Sequence, residues 1–498
     1  MRHNFLKWAV ISTLIIQTSG CGEPAQYSKP IDDLLTYCNK MDRFNGVFLA
    51  ANRGQVLYTR SFGMANRELE SPIGPNTIFD VGSSIKPLTA TAVLILCERG
   101  QLSLETKLSS ILAHFPYPAI EIRHLLSHTS GLPDYPHHPG FHAHIQARQE
   151  ADSNHKVVNQ DILDWLNGGQ EPLITQPGES FEYCNLGYIL LGMVIEKVTG
   201  SPFCDFIRNE ILQPAEMNSS LMYDQLAKSA PEFRAVGYRM TTDRMSYTAV
   251  ESAQWTGLLG DGGLYSTAGD MVRFLSAYFD GKFISDEMRT QALTPCRLSS
   301  GESAPYGYGW ILRESGYENR PATVKHGGRW EGFLSAFVYE PETENAIVIL
   351  TNDSMNPPTM REVEMAISHI LNGREPDLPR FPIRDIVSQV LFTEGSNRAL
   401  EVYAEMKSDY HYKFFFDEHQ LNLLGYELMW EGKNQESLAI LQFNQQEYPG
   451  SANVYDSLGD YYLAQRDTAM AIRQYQVALA IDSVHASTAA KLEELERR

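Results

Sequence analysis

The sequence predicts an α+β domain followed by an all-α array, and three observations carry that prediction. Strand-like runs stand near both ends of residues 31–372, with helical patterns between them. An apolar helix opens at Ser83-Ser84-Ile85-Lys86, between the two groups of strands. Beyond a Gly- and Pro-rich linker, Leu424-Gly425 recurs as Leu458-Gly459, a period of 34 residues. Strands at both ends with helices between them are the pattern of one antiparallel sheet completed by both termini, flanked by helices and carrying a helical subdomain.

At 498 residues the chain exceeds a single hydrophobic core, so two folded units are expected. The net charge of −20, with no run of Lys or Arg, argues against nucleic acid as a partner. Residues 1–20 read as a targeting segment, with basic Arg2 and Lys7 ahead of a short apolar core over 8–16. Thr18-Ser19-Gly20-Cys21 then resembles a bacterial lipobox, with threonine where leucine is usual and Cys21 as the residue to be lipidated. Export is therefore expected, to the periplasm or as an outer-membrane lipoprotein, otherwise by secretion. No later stretch is apolar over the roughly 18 residues that a membrane helix needs. Cys38, Cys97, Cys184, Cys204 and Cys296 form neither a C-x-x-C pair nor a dense disulfide framework.

Along the chain, residues 21–30 read as a polar linker and 31–41 as an amphipathic helix. Strands are expected over 47–52 and 56–62, turned through Arg53-Gly54. A helix follows from Pro87, tolerated only in a first turn, and is closed by the basic Arg99 and a C-cap at Gly100. Another spans 186–198 and stops at Gly200. Strands return over 322–326, 333–339 and 346–352, and a helix over 360–371 closes the domain. Residues 373–395 read as a linker. In 396–498, Ser437 recurs as Ala471, Leu441 as Tyr475 and Asn444 as Ala478. Small residues at a crossing point with large apolar ones around it suit two antiparallel helices, and the array resembles tetratricopeptide repeats. Two such repeats rarely bury enough surface alone, so the array is expected to dock on the first domain or on a protein partner.

Three short motifs carry the chemistry. Ser83 and Lys86, three apart at a helix start, share a face, so an uncharged amine can take the hydroxyl proton. The helix N-terminus adds partial positive charge where an alkoxide develops. Tyr183-Cys184-Asn185 precedes a helix, and in an extended segment Tyr183 and Asn185 point to one side. There the phenol can relay a proton and the amide can bond a substrate carbonyl. His326-Gly327-Gly328 follows a strand and precedes Arg329, and glycine leaves a strand edge bare for a substrate backbone. Each motif also occurs elsewhere by chance, as at Ser153-Asn154-His155-Lys156, but only one copy has the right setting.

Together the motifs resemble the serine hydrolase family that contains class C β-lactamases, D-alanyl-D-alanine carboxypeptidases, penicillin-binding-protein-like esterases and D-aminopeptidases. The stretches 124–135 and 260–267, and Tyr306-Gly307-Tyr308-Gly309-Trp310, are similar to further signatures of that family. The resemblance implies a β-lactamase/DD-peptidase-like fold over 31–372, with Ser83 as nucleophile, Lys86 as base and Tyr183 assisting proton transfer. It implies an oxyanion hole from the backbone amides of Ser83 and Arg329, substrate contacts at Asn185, His326 and Gly328, and no cofactor. It also makes His124 and His128 structural hydrogen-bonders. Two departures stand out: histidine where true β-lactamases carry lysine in the third motif, and Cys184 in the second. The first counts against efficient β-lactam hydrolysis.

His137, His138, His142 and His144 cluster in sequence, yet no acidic or cysteine partner follows in a metal-site pattern, so a solvated loop is expected. Two functions stay open: an exported serine hydrolase of an ester, a D-peptide or, weakly, a β-lactam, and a non-catalytic binding protein that uses the cleft and the repeats.

Overall fold

The computed structural model describes residues 25–40, 44–169, 171–226, 233–250, 257–316, 321–353 and 357–497. The expected targeting segment, Cys21 and the end of the helix expected over 31–41 lie outside them. Helix α1 (Ala25–Lys40) starts inside the stretch read as a linker, because little but Tyr27 signals an apolar face in the turns ahead of Pro30.

Six strands form the main sheet: β1 (Gly46–Asn52), β2 (Gln55–Phe62), β3 (Ile311–Arg313), β4 (Thr323–Trp330), β5 (Phe333–Glu340) and β6 (Asn345–Thr351). Their order is β3-β4-β5-β6-β1-β2, and every neighbouring pair is antiparallel. The join between the two ends of the domain is β6 against β1, with Gly46 opposite Thr351 and Asn52 opposite Asn345. The sheet is thus completed by both termini of the domain, as the spread of strand signals predicts.

Both faces of the central strands are covered. Val47, Leu49, Phe337, Val348 and Leu350 enter one core with α2 (Lys86–Glu98), α3 (Asn185–Thr199) and α4 (Ala268–Phe279). Every residue of α2 from Lys86 to Leu96 is buried, so this helix is the axis of that core. The opposite face, with Phe48, Ala50, Val338, Ile347 and Ile349, packs on Ile31 and Leu34 of α1 and on Val363 and Ile367 of α5 (Pro357–Leu371).

The linker expected over 373–395 is shorter than its composition suggests. Phe381–Pro382 pairs in parallel with Phe414–Phe415, and α6 (Ile383–Glu394) follows at once. Ile383, Val387 and Leu391 recur every fourth residue, a helical face that the Pro-rich approach to it obscures. They enter the core beneath β1 and β6, joined by Ala399 and Tyr403 of α7 (Ser396–Tyr410), Leu421 and Leu424 of α8 (Glu418–Trp430), and Ile440 of α9 (Asn434–Glu447). The C-terminal helices therefore dock on the first domain through a shared hydrophobic core.

The recurring glycines sit where two helices cross. A Cβ on Gly425 would lie 2.4 Å from Leu441 Cδ2. In the pair α10 (Ala452–Ala464) and α11 (Thr468–Ile481), one on Gly459 would lie 2.3 Å from Tyr475 Cε1. The last helix, α12 (Ala486–Glu496), closes the array by placing Lys491 Nζ 2.8 Å from Asp456 Oδ2 and 2.9 Å from Asp460 Oδ2.

Candidate active site

Ser83 stands on a tight turn between the core and α2. Gly82 takes φ +51, and a Cβ there would lie 3.0 Å from Arg329 N, so both backbone shape and space call for glycine. Asp80 Oδ1 accepts the Gly82 N–H at 2.8 Å, and a single 3-10 turn (Gly82–Ile85) leads into α2 with Pro87 in its first turn. Lys86 is wholly buried, and its Nζ reaches Ser83 Oγ at 2.8 Å, Asn185 Oδ1 at 2.9 Å and Asp261 O at 3.1 Å. Two of these partners, an amide oxygen and a peptide carbonyl, can only accept. Only Ser83 Oγ has a proton to give. An uncharged amine that donates to the two fixed acceptors turns its lone pair toward the hydroxyl.

Each acceptor is itself held. Asn185 opens α3, and its Nδ2 donates to Asp134 Oδ2 at 2.7 Å; Asp134 Oδ1 accepts from Leu186 N at 3.0 Å. Asp261 O is set by its neighbour, whose carbonyl accepts from Thr89 Oγ1 of α2 at 2.7 Å. Asn185, expected at a substrate carbonyl, thus first positions the lysine; the extended segment stops at Cys184, and Asn185 already belongs to the helix. Tyr183 is partly exposed, its ring 5.3 Å from Lys86 Nζ and tilted against the His128 ring with centroids 4.2 Å apart. His128 takes φ 56 and accepts the Cys184 N–H on Nδ1 at 3.1 Å. Burial, with Lys86 nearby, pushes its pKa well below the usual range, so it is neutral. Cys184 is a packing residue: it is buried, and desolvation first, then the Asp134 carboxylate, pushes its thiol up.

The third motif lies inside β4 rather than after a strand, because the ladder to β5 continues through Gly328 opposite Ser335 and Arg329 opposite Leu334. A Cβ on Gly328 would lie 1.9 Å from Val81 O and 2.9 Å from Ser83 N. Glycine lets β4 press its backbone against the nucleophile turn, which brings the Arg329 amide beside Ser83. The Arg329 side chain is exposed at the rim. His326 differs from its expected role. It is buried, its Nε2 accepts from Tyr306 Oη at 2.9 Å, and its Nδ1 donates to Gly327 O at 2.7 Å. Burial, then Lys86, lowers its pKa to about 3. His326 supports the strand as a neutral group, with both ring nitrogens taken inside the protein.

Several contributors had no motif of their own. Ser335 Oγ donates to Val81 O at 2.8 Å and lies 2.8 Å from Ser84 Oγ, fastening the strand to the nucleophile turn, and nothing in its sequence context marks it. Asp134 and Asp261 lie in stretches already similar to family signatures, which is the signal that finds them. The stretch expected as a solvated loop is instead helical from Pro139 to Ala151, because Pro139 suits a first turn: His138 caps that helix by accepting from Gly140 N at 3.2 Å, and His142, inside it, bonds Pro136 O. Among the described residues no group of three or more His, Cys, Asp or Glu is placed to hold a metal.

Beside the nucleophile turn, Asp80, Tyr135, Leu258, Asp261, Gly263, Tyr265 and Trp330 line a small open hollow. Desolvation pushes both carboxyls up to about 6.

A family model described as Beta-lactamase matches residues 31–372. A penicillin-binding protein of Bacillus subtilis is 34% identical over 362 residues, covering 71% of this chain and 78% of the relative. A D-aminopeptidase of Gluconobacter oxydans is 25% identical over 308 residues, 62% of this chain and 55% of the relative. Among solved structures, a penicillin-binding protein from Bacillus halodurans superposes with a TM-score of 0.55 at 27% identity, covering 67% of this chain and 98% of the other. The C-terminal helices lie outside the region that the family model matches.

Proposed function

The chain belongs to the beta-lactamase family and is a serine hydrolase, and from that premise we propose that it cleaves esters or D-amino-acid peptide amides through an acyl-enzyme on Ser83. The observation that carries this reading is the trio of partners around Lys86, of which only Ser83 Oγ can hand the amine a proton. As Ser83 Oγ attacks the substrate carbonyl, its proton passes to Lys86 and the carbonyl oxygen takes the negative charge. The amides of Ser83 and Arg329 receive that oxygen, and such preorganised donors carry much of the rate in acyl transfer. Collapse expels the alcohol or amine, to which Tyr183 relays the proton from Lys86. Water then attacks the acyl-serine, gives up a proton along the same route, and releases the acid and Ser83. Asn185 holds Lys86 and has a second N–H to offer a substrate carbonyl; Gly328 keeps the strand edge bare.

A neutral His326 supplies no cation for a substrate carboxylate, which counts against β-lactams and favours esters and amides that carry no carboxylate. The non-catalytic reading is disfavoured by an intact Ser83, Lys86 and Tyr183. The segment 1–20 supports export, with Cys21 as the lipid attachment point, and the period of 34 residues supports a tetratricopeptide-like array open to a protein partner. A hydrolysis panel of short-chain esters, a D-Ala-D-Ala peptide and a chromogenic cephalosporin tests the substrate class. Esters are expected to turn over fastest and the cephalosporin slowest; rapid cephalosporin turnover contradicts the proposal.

A further inference from the structure

A hairpin of the hydrolase domain, Tyr238–Met240 paired with Tyr247–Ala249, ends in a clamp made by the C-terminal helices. At its tip Arg244 takes φ 59, a left-handed turn conformation uncommon for non-glycine residues. Its guanidinium is nearly buried, with Nε 2.8 Å from Asp385 Oδ1 of α6 and Nη2 2.5 Å from Glu427 Oε2 of α8. Nη1 bonds Thr241 O at 3.0 Å, and the Arg244 carbonyl accepts from Gln389 Nε2 at 3.1 Å. Ser388 Oγ donates to Thr242 O beside it. Both acids lie beyond the stretch matched by the family model.

The base of the hairpin meets the site from two sides. A Cβ on Gly332 would lie 2.4 Å from Tyr238 N, and one on Gly237 would lie 2.1 Å from Glu331 O, so these backbones are in contact. Glu331-Gly332 is the turn that joins β4 to β5, directly after Arg329-Trp330. On the chain leading into the hairpin, Ile78 N donates to Phe233 O at 3.0 Å and Ala235 N to Ile78 O at 2.9 Å. Ile78 lies two residues ahead of Asp80, which caps the nucleophile turn.

We propose that Arg244 is a positioning residue, which clamps this hairpin to α6 and α8 and so fixes the Arg329 amide relative to Ser83. The proposal rests on the acyl-enzyme reading above. It makes the C-terminal helices part of the hydrolase's working geometry rather than a passive appendage. Arg384 of α6 faces the same two carboxylates, 3.7 Å from Asp385 Oδ1 and 3.9 Å from Glu427 Oε1, so Arg244 is the hairpin's member of a cluster of two arginines and two acids, and its closer, charge-assisted bonds are what tie the hairpin to the helices. A displacement of about 1 Å at the reacting groups can cost on the order of 100-fold in rate.

The test compares full-length parent, Arg244→Met, Arg244→Lys and Glu427→Gln in ester hydrolysis, with circular dichroism and thermal melting of each. Arg244→Met is expected to lose about tenfold or more in kcat with KM changed by less than about twofold, and Arg244→Lys to regain part of the loss. Glu427→Gln, which keeps the Asp385 pair, is expected to show a smaller fall in kcat. A folded Arg244→Met with parental kcat overturns the proposal, even if its melting temperature drops, since that is the signature of a merely structural bridge. Should Arg244→Met not fold, Glu427→Gln decides, and parental kcat there overturns it. A parent that forms no acyl-enzyme contradicts the functional reading instead, which keeps the two failures distinct.

Discussion

Lys86 is the residue on which the chemistry turns, and its environment was only half legible in the sequence. The spacing from Ser83 announced the pair, but the two acceptor-only oxygens that orient its amine come from 99 and 175 residues away. No local pattern reports such partners. The titrating groups around it give a pH signature. His326 is a base whose folded pKa of about 3 lies below its ordinary 6.5, so its contribution to stability is present above pH 6.5 and is lost as pH falls toward 3. Asp261 is an acid raised from 3.8 to about 6, so its contribution is full below 3.8 and is lost as pH rises through 6. Asp261→Asn should therefore gain on the parent between pH 4 and pH 7.5, by on the order of 3 kcal/mol. Paired melting curves at the two pH values check this; an unchanged difference would contradict it.

Among the elements, β4 shows how a motif can be recognised while its setting is misread. Two successive glycines ended the expected strand at His326, yet the ladder to β5 carries it to Trp330. Tertiary pairing overrides propensity where a neighbouring strand is already in place. Gly328 is there for clearance, with Val81 O only 1.9 Å from a hypothetical Cβ. Gly328→Ala should push the strand off the nucleophile turn and lower kcat by about 100-fold or more while the protein stays folded. Steady-state kinetics beside a thermal melt will check it, and an alanine variant with parental kcat would contradict the packing account.

At the level of the whole molecule, the sheet is a wall shared by two units. The sequence showed the repeat period and the need for a docking surface, because two helical pairs bury too little by themselves. It did not show which surface, since that depends on the apolar outer faces of β1, β5 and β6 and on α6, hidden behind a Pro-rich approach. Cutting the chain after residue 379 would strip Ile383, Val387, Leu421 and Leu424 from a core that also holds Phe48 and Ile349. The shortened protein should aggregate or melt well below the parent on size-exclusion and calorimetry. A monodisperse fragment with the parental melting temperature would mean the shared core adds nothing.

The most direct measurement is intact-protein and peptide mass spectrometry after reaction with a fluorophosphonate. One adduct is expected, on the peptide that holds Ser83, absent from a folded Ser83→Ala variant that also fails to hydrolyse the preferred ester. An adduct elsewhere, or Ser83→Ala turning over that ester at the parental rate, would contradict it.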